Sequence, residues 1–184
     1  MLNRRRLNDT FYTDTLFSKV KSMNGNTCAQ VYSNGSFTKV FPMPDKTGAR
    51  VGQTLTDFAD DVGIPDTLVM DLAPEQAGKH TEMQTEVRRL RVRIRFTEKG
   101  RSEQNHTAEG EIGQLKRRWK HRMTTRNVPR CLWDYGLVHE AEVLSILARG
   151  KDQVPGLEKV LGQTIDISEY LDFGIWDLVW YWDQ

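Results

Sequence analysis

Apolar and polar positions change rhythm along the chain, and each change marks an element. Phe11 to Phe17 reads as a strand, with aromatic and β-branched residues around Asp14. Cys28 to Tyr32 and Phe37 to Phe41 are two shorter strands. Between them Ser33-Asn34-Gly35-Ser36 holds the Asn-Gly pair of a tight hairpin, and Pro42 and Pro44 stop the second strand. Val51, Leu55, Phe58 and Val62 recur at i, i+4, i+7 and i+11, which predicts an amphipathic helix that Gly63 and Pro65 end. Asp66 to Met70 is a short apolar strand delivering Asp71. Pro74 opens a second helix with Met83, Val87 and Leu90 on one side. Arg91 to Phe96 alternates Arg with Val, Ile and Phe, the pattern of a half-buried strand with a basic outer face. Thr97 to Thr107 is polar and reads as a loop. A long helix follows from near Ala108 to about Thr125. Another starts at Pro129, with Trp133, Leu137, Ala141, Leu144 and Ala148 as its apolar stripe and Gly150 at its end.

Three leading strands, the last two joined by a hairpin, followed by alternating helices and strands, predict an α/β fold. Its mixed sheet is covered by helices on both faces. The length of 184 residues suits one domain. Composition shifts after Lys151. Residues 1–150 read as the core domain and 151–184 as a C-terminal extension, with a connector or helix over Val154 to Gly162 and an aromatic, acidic stretch over Thr164 to Gln184. No apolar run approaches the roughly 20 residues that span a bilayer, so no membrane partner is expected. Cys28 and Cys131 form no CxxC pair and read as small apolar residues.

Net charge is only +1, but it is unevenly distributed. Arg88, Arg89, Arg91, Arg93 and Arg95 form one basic run; Lys116, Arg117, Arg118, Lys120, His121 and Arg122 form another. Such runs are either solvated helix faces or a surface that meets phosphates.

Three acids occupy telling positions. Asp14 lies inside a strand, where a charge is costly unless paired or bound to metal. Asp71 ends a strand, at the edge where open α/β sheets place their sites. Glu109 lies in the first turn of a helix entered from a polar loop. Each alone could be a helix cap or a solvated surface residue. Together, if the first and fourth strands are neighbours, they could converge as oxygen ligands for two Mg²⁺ or Mn²⁺ ions. At about 100° per residue, Lys116 and Lys120 fall within about 20° of the direction of Glu109, a basic stripe suited to a DNA backbone. Glu111 points nearly the opposite way and is a poor third ligand.

These residues carry a family resemblance. Phe11-Tyr12-Thr13-Asp14-Thr15, Met70-Asp71-Leu72-Ala73 and Ser102-Glu103-Gln104-Asn105-His106-Thr107-Ala108-Glu109 resemble the catalytic blocks of integrases, most closely those of the copia class of long-terminal-repeat retrotransposons. Trp119, Trp133-Asp134-Tyr135 and the stretch Thr164 to Phe173 are similar to segments downstream of that core. The resemblance implies an RNase H-like fold with a five-stranded sheet. It implies an enzyme that trims the 3′ ends of element DNA and joins them to target DNA, with Asp14, Asp71 and Glu109 holding two divalent ions. Gln104, Asn105, Lys116 and Lys120 would contact DNA. It further implies a homo-oligomer, dimer or higher, a nuclear location with a cytoplasmic particle stage, and a piece of a larger polyprotein. Two departures stand out: Glu103 at or beside the place of a common Pro, and Gly110-Glu111 where basic residues often follow. The rival readings are an RNase H-like nuclease and a catalytically inert fragment that binds DNA or other subunits. The four histidines have no spacing for a zinc site. The C-terminal aromatics, Trp176, Trp180, Tyr181 and Trp182, would either stack on bases or pack against a neighbouring domain.

Overall fold

A computed structural model describes residues 4–71, 82–97, 106–149, 152–164, 166–168 and 174–177; of residues 71, 97 and 106–109 it describes the backbone alone. Five strands form one sheet: β1 (Arg6–Phe17), β2 (Cys28–Ser33), β3 (Thr38–Met43), β4 (Ile64–Asp71) and β5 (Arg93–Thr97). Their spatial order is β3-β2-β1-β4-β5. β1, β2 and β3 pair antiparallel as a meander, and β1, β4 and β5 pair parallel. The first and fourth strands are therefore neighbours, as convergence of the acids requires.

Side chains alternate across the sheet and build a core on each face. On one face Phe11, Cys28, Tyr32, Leu68 and Met70 pack beneath α1 (Gly48–Asp61) and α2 (Glu82–Leu90), which supply Val51, Leu55, Phe58, Met83 and Val87. The rings of Phe11 and Phe58 meet edge-on at 5.0 Å, and Tyr32 stacks on Phe58 at 4.8 Å. The Tyr32 hydroxyl pairs with Thr54 Oγ1 at 2.9 Å, so its buried polar end is satisfied. On the other face Leu16, Ala29, Val31 and Val40 pack beneath α3 (His106–Thr125) and α4 (Trp133–Ile146), through Ile112, Leu115, Trp133, Leu137, Ala141 and Leu144. A single 3-10 turn, Arg130–Leu132, joins the two helices at Pro129.

α1 starts at Thr47, whose hydroxyl accepts from the Arg50 N–H at 3.4 Å. It ends at Gly63, where φ is +137° and an added Cβ would stand 2.9 Å from the Arg5 carbonyl oxygen. A short helix, α5 (Gly156–Leu161), closes the described fold. Its Val160 joins the core under α1, and Gly156 lies so close to the Ser36 carbonyl oxygen that a Cβ there would meet it at 2.0 Å.

Several element limits differ from the sequence reading. β1 begins at Arg6, not Phe11; its first half is polar and shifts register between Leu7 and Thr10, which removes the alternation that reveals a strand. α4 stops at Ile146 because Leu147 is extended, and Ala148 instead bridges Pro155. The expected helix start at Pro74 lies outside the described residues, within which α2 begins at Glu82.

Candidate active site

Asp14 sits on β1, flanked by β2 on one side and β4 on the other. It stands opposite Val31 of β2. On the β4 side the last matched pair is Thr13 with Met70, and the next residues on the two parallel strands are Asp14 and Asp71. Neighbouring strands run roughly 4.8 Å apart, so the backbone brings these two positions side by side at the carboxyl ends of the central strands.

Asp14 itself is exposed, although the residues on either side are buried. Its Oδ1 accepts the Thr15 N–H at 2.7 Å. Beneath it, on the opposite face, lies a buried polar clamp. The Thr15 hydroxyl donates to Gln30 Oε1 at 2.7 Å, and Gln30 Nε2 donates to Thr13 Oγ1 at 2.6 Å. Gln30 is fully buried. One amide thus ties down both residues that bracket Asp14. The sequence reading missed Gln30 because nothing local shows which face of a short strand is buried; a polar residue among Cys28, Ala29, Val31 and Tyr32 was the available signal.

The helix that carries Glu109 in its first turn, α3, covers the same sheet face as Asp14. Ile112 and Leu115 of α3 pack with Leu16, two residues beyond Asp14, and with Val31, its partner across the ladder. Glu109 is one turn before Ile112. The side chains of Asp71 and Glu109, and the whole of Gln104 and Asn105, lie outside the described residues. Among the described residues no group of three His, Cys, Asp or Glu side chains is placed to hold a metal ion.

Lys116 and Lys120 are both exposed on α3. The basic run they belong to divides by helical periodicity. Lys116, Arg117 and Lys120 face solvent. Arg118 and Arg122, one turn apart, converge instead on Glu140 of α4, which is 1% exposed. The Arg118 Nε donates to Glu140 Oε2 at 3.2 Å, and Arg122 Nε donates to Oε1. Two of the six residues in the apparent phosphate-binding run are therefore committed to holding α3 on α4. In the other run Arg89 pairs with Glu86 at 2.6 Å, and Arg93 lies 3.7 Å from Asp66. Glu111 is engaged by Arg149 Nη1 at 2.7 Å, in keeping with its exclusion as a third ligand.

A second buried carboxylate fixes the loop between β1 and β2. Asp134, 2% exposed in the first turn of α4, accepts from Asn26 Nδ2 at 2.9 Å and Asn24 Nδ2 at 3.2 Å. It also accepts from the Tyr135 N–H at 3.0 Å. Burial pushes its pKa up, but the donors from Asn26, Ser22, Asn24 and Tyr135 outweigh it and hold the carboxyl below its ordinary range. Of the histidines, His121 is exposed and His139 half-buried, with its pKa lowered by burial and by Arg122.

No protein-family model matches this sequence, and no curated protein matches it. Solved structures do. One is the cryo-EM structure of the simian T-cell lymphotropic virus intasome in complex with PP2A regulatory subunit B56 gamma. It superposes with a TM-score of 0.68 at 16% identity, over 85% of this chain and 56% of that one. Another is the crystal structure of the catalytic core domain of BIV integrase, with a TM-score of 0.66 at 12% identity, over 83% of this chain and 93% of that one. The fold is RNase H-like. It is the mixed five-stranded architecture of the integrase catalytic core, as the sequence resemblance implied, and the chain spans little more than half of the longer intasome protein.

Proposed function

We propose that this chain is the catalytic core of a DNA integrase of the retroelement type, a polynucleotidyl transferase that trims 3′ ends of element DNA and joins them to target DNA. One observation carries the reading. Asp14 and Asp71 follow the last matched pair of the two central parallel strands, and the helix that carries Glu109 in its first turn packs on the face that bears Asp14.

The donor set fits divalent metal. All three candidates are carboxylates, the oxygen ligands that Mg²⁺ and Mn²⁺ take, and Asp14 is solvent-accessible on a sheet face where Leu16 and Val31 are buried. Asp14, Asp71 and Glu109 would hold two ions. Such a pair, when bound, activates an attacking oxygen and stabilises a leaving oxygen at phosphorus. The chain's own contribution is positioning. The Gln30 clamp fixes the backbone around Asp14. Lys116 and Lys120 neutralise backbone phosphates along the helix leading away from Glu109. Gln104 and Asn105 would touch the DNA end. Copia-type origin, assembly as a dimer or higher oligomer, and action in the nucleus belong to the same proposal.

Thermal unfolding with and without Mn²⁺ tests it. The wild type should be stabilised by Mn²⁺, and Asp14→Asn and Glu109→Gln should not. A wild type indifferent to Mn²⁺ would leave the inert-fragment reading.

A further inference from the structure

A cavity lies between the end of β1 and the C-terminal half of α3, on elements that also carry Asp14 and Glu109. It measures about 760 Å³, within the roughly 300–1,000 Å³ of small-molecule sites. Its apolar walls include three aromatic rings, Phe17, Trp119 and Trp133, and its charged lining is Lys19, Lys120 and Arg130, with no acid among the described residues. A fourth cation stands at Phe17, where Lys46 Nζ lies 5.6 Å from the ring centroid. Phe17 is 68% exposed, an unusual state for a large aromatic ring next to a hydrophobic cavity.

Two of its walls belong to elements that carry candidate ligands, β1 and α3; the others are the loop after Phe17, the turn between α3 and α4, and the start of α4. Phe17 is three residues beyond Asp14 on β1, about 10 Å along the strand. Lys120 is eleven residues beyond Glu109 on α3, about 16 Å along the helix. The cavity is also preformed. The loop after Phe17 is tied to the opposite wall by the Met23 N–H on the Cys131 carbonyl at 2.8 Å and by the Asn24 and Asn26 amides on Asp134. Flat aromatic surface ringed by cations, without acids, matches one ligand chemistry: a planar base on a phosphate backbone.

We propose that this cavity binds an unpaired nucleotide of a DNA strand, its base against Phe17 and the partly buried Trp119 and its phosphates on Lys19, Lys120 and Arg130. It would hold single-stranded DNA a few nucleotides from the reacting phosphodiester. This rests on the integrase reading for its ligand, but not on metal or on chemistry for its test.

The test is fluorescence anisotropy of a labelled oligothymidylate in EDTA, set against an oligonucleotide of equal length and charge with abasic residues. The 184-residue chain should bind the base-bearing strand about tenfold more tightly. Phe17→Ala, an exposed position whose fold is checked by circular dichroism, should abolish that preference and leave abasic binding unchanged. Equal affinity for the two strands, or a preference that survives Phe17→Ala, would overturn the proposal. The two readings can fail separately. DNA joining without any base preference counts against the cavity alone. A Phe17-dependent preference in a protein that joins no DNA under Mn²⁺ counts against the proposed activity alone.

Discussion

Thr13 and Met70 are the last matched residues of β1 and β4, and the residue following each is an aspartate. Two carboxylates on adjacent strands repel each other when no cation lies between them. In the absence of metal, Asp14→Asn should therefore melt at or above the wild-type temperature. With Mn²⁺ at about 100 times its dissociation constant the wild type should gain about 2.7 kcal/mol, and the variant should gain little. Differential scanning fluorimetry across a Mn²⁺ titration reads both. A variant that is less stable without metal and still responds to Mn²⁺ would remove Asp14 from the ligand set.

Gln30 bridges Thr13 and Thr15 from the buried side of the sheet. Gln30→Leu keeps the volume and removes both bonds, leaving two buried hydroxyls without that partner. The expected cost is about 1–3 kcal/mol in urea unfolding. Because the clamp brackets Asp14, the apparent Mn²⁺ affinity should fall as well. Lost stability with unchanged Mn²⁺ affinity would reduce Gln30 to a purely structural role.

Asp134 makes stability depend on acid. Its folded pKa lies below the ordinary 3.8, so its stabilising bonds are fully present above that value and are lost as pH falls through the folded pKa. Asp134→Ala should cost about 1–3 kcal/mol at pH 7, since it strands the Asn24 and Asn26 amides and frees the β1–β2 loop. The gap between wild type and variant should hold from pH 7 to about pH 5 and narrow below pH 3.8. Chemical denaturation at a series of pH values checks this; a gap that closes between pH 5 and 7 would mean another group is responsible.

Most of the architecture was legible because apolar spacing is a local signal. Val51, Leu55 and Phe58 are all buried, as their helical spacing required, and Gly35 has the positive φ expected of the hairpin turn. The start of β1 was not legible, because Arg6, Asn8 and Asp9 are exposed on a strand that shifts register there. Pairing across elements was also out of reach. Nothing local to Arg118 and Arg122 shows that they are drawn to Glu140, which follows on a different helix. The same holds for Asp134, whose partners Asn24 and Asn26 lie more than a hundred residues earlier. In the candidate site, Asp14 and Asp71 could be placed from strand order, since adjacency of two strands follows from topology. The Gln30 clamp could not, because it depends on register.

Lys116 and Lys120 face solvent on α3, whereas Arg118 and Arg122 are occupied by Glu140. On a DNA duplex, Lys116→Ala and Lys120→Ala should each weaken binding at low salt and reduce the slope of log affinity against log salt by about 1. Arg118→Ala should change that slope less while lowering stability. Filter binding over a salt series separates the two classes; equal slopes for all three variants would contradict the division of the helix.

The central claim is that Asp14, Asp71 and Glu109 form a working carboxylate site for DNA strand transfer. It is tested most directly by Mn²⁺-dependent disintegration of a labelled branched DNA, comparing the wild type with Glu109→Gln. The account predicts product from the wild type, none without Mn²⁺, and at least a hundredfold loss in Glu109→Gln, about the scale on which removal of one strong electrostatic group acts. Product formed equally well by Glu109→Gln would contradict it.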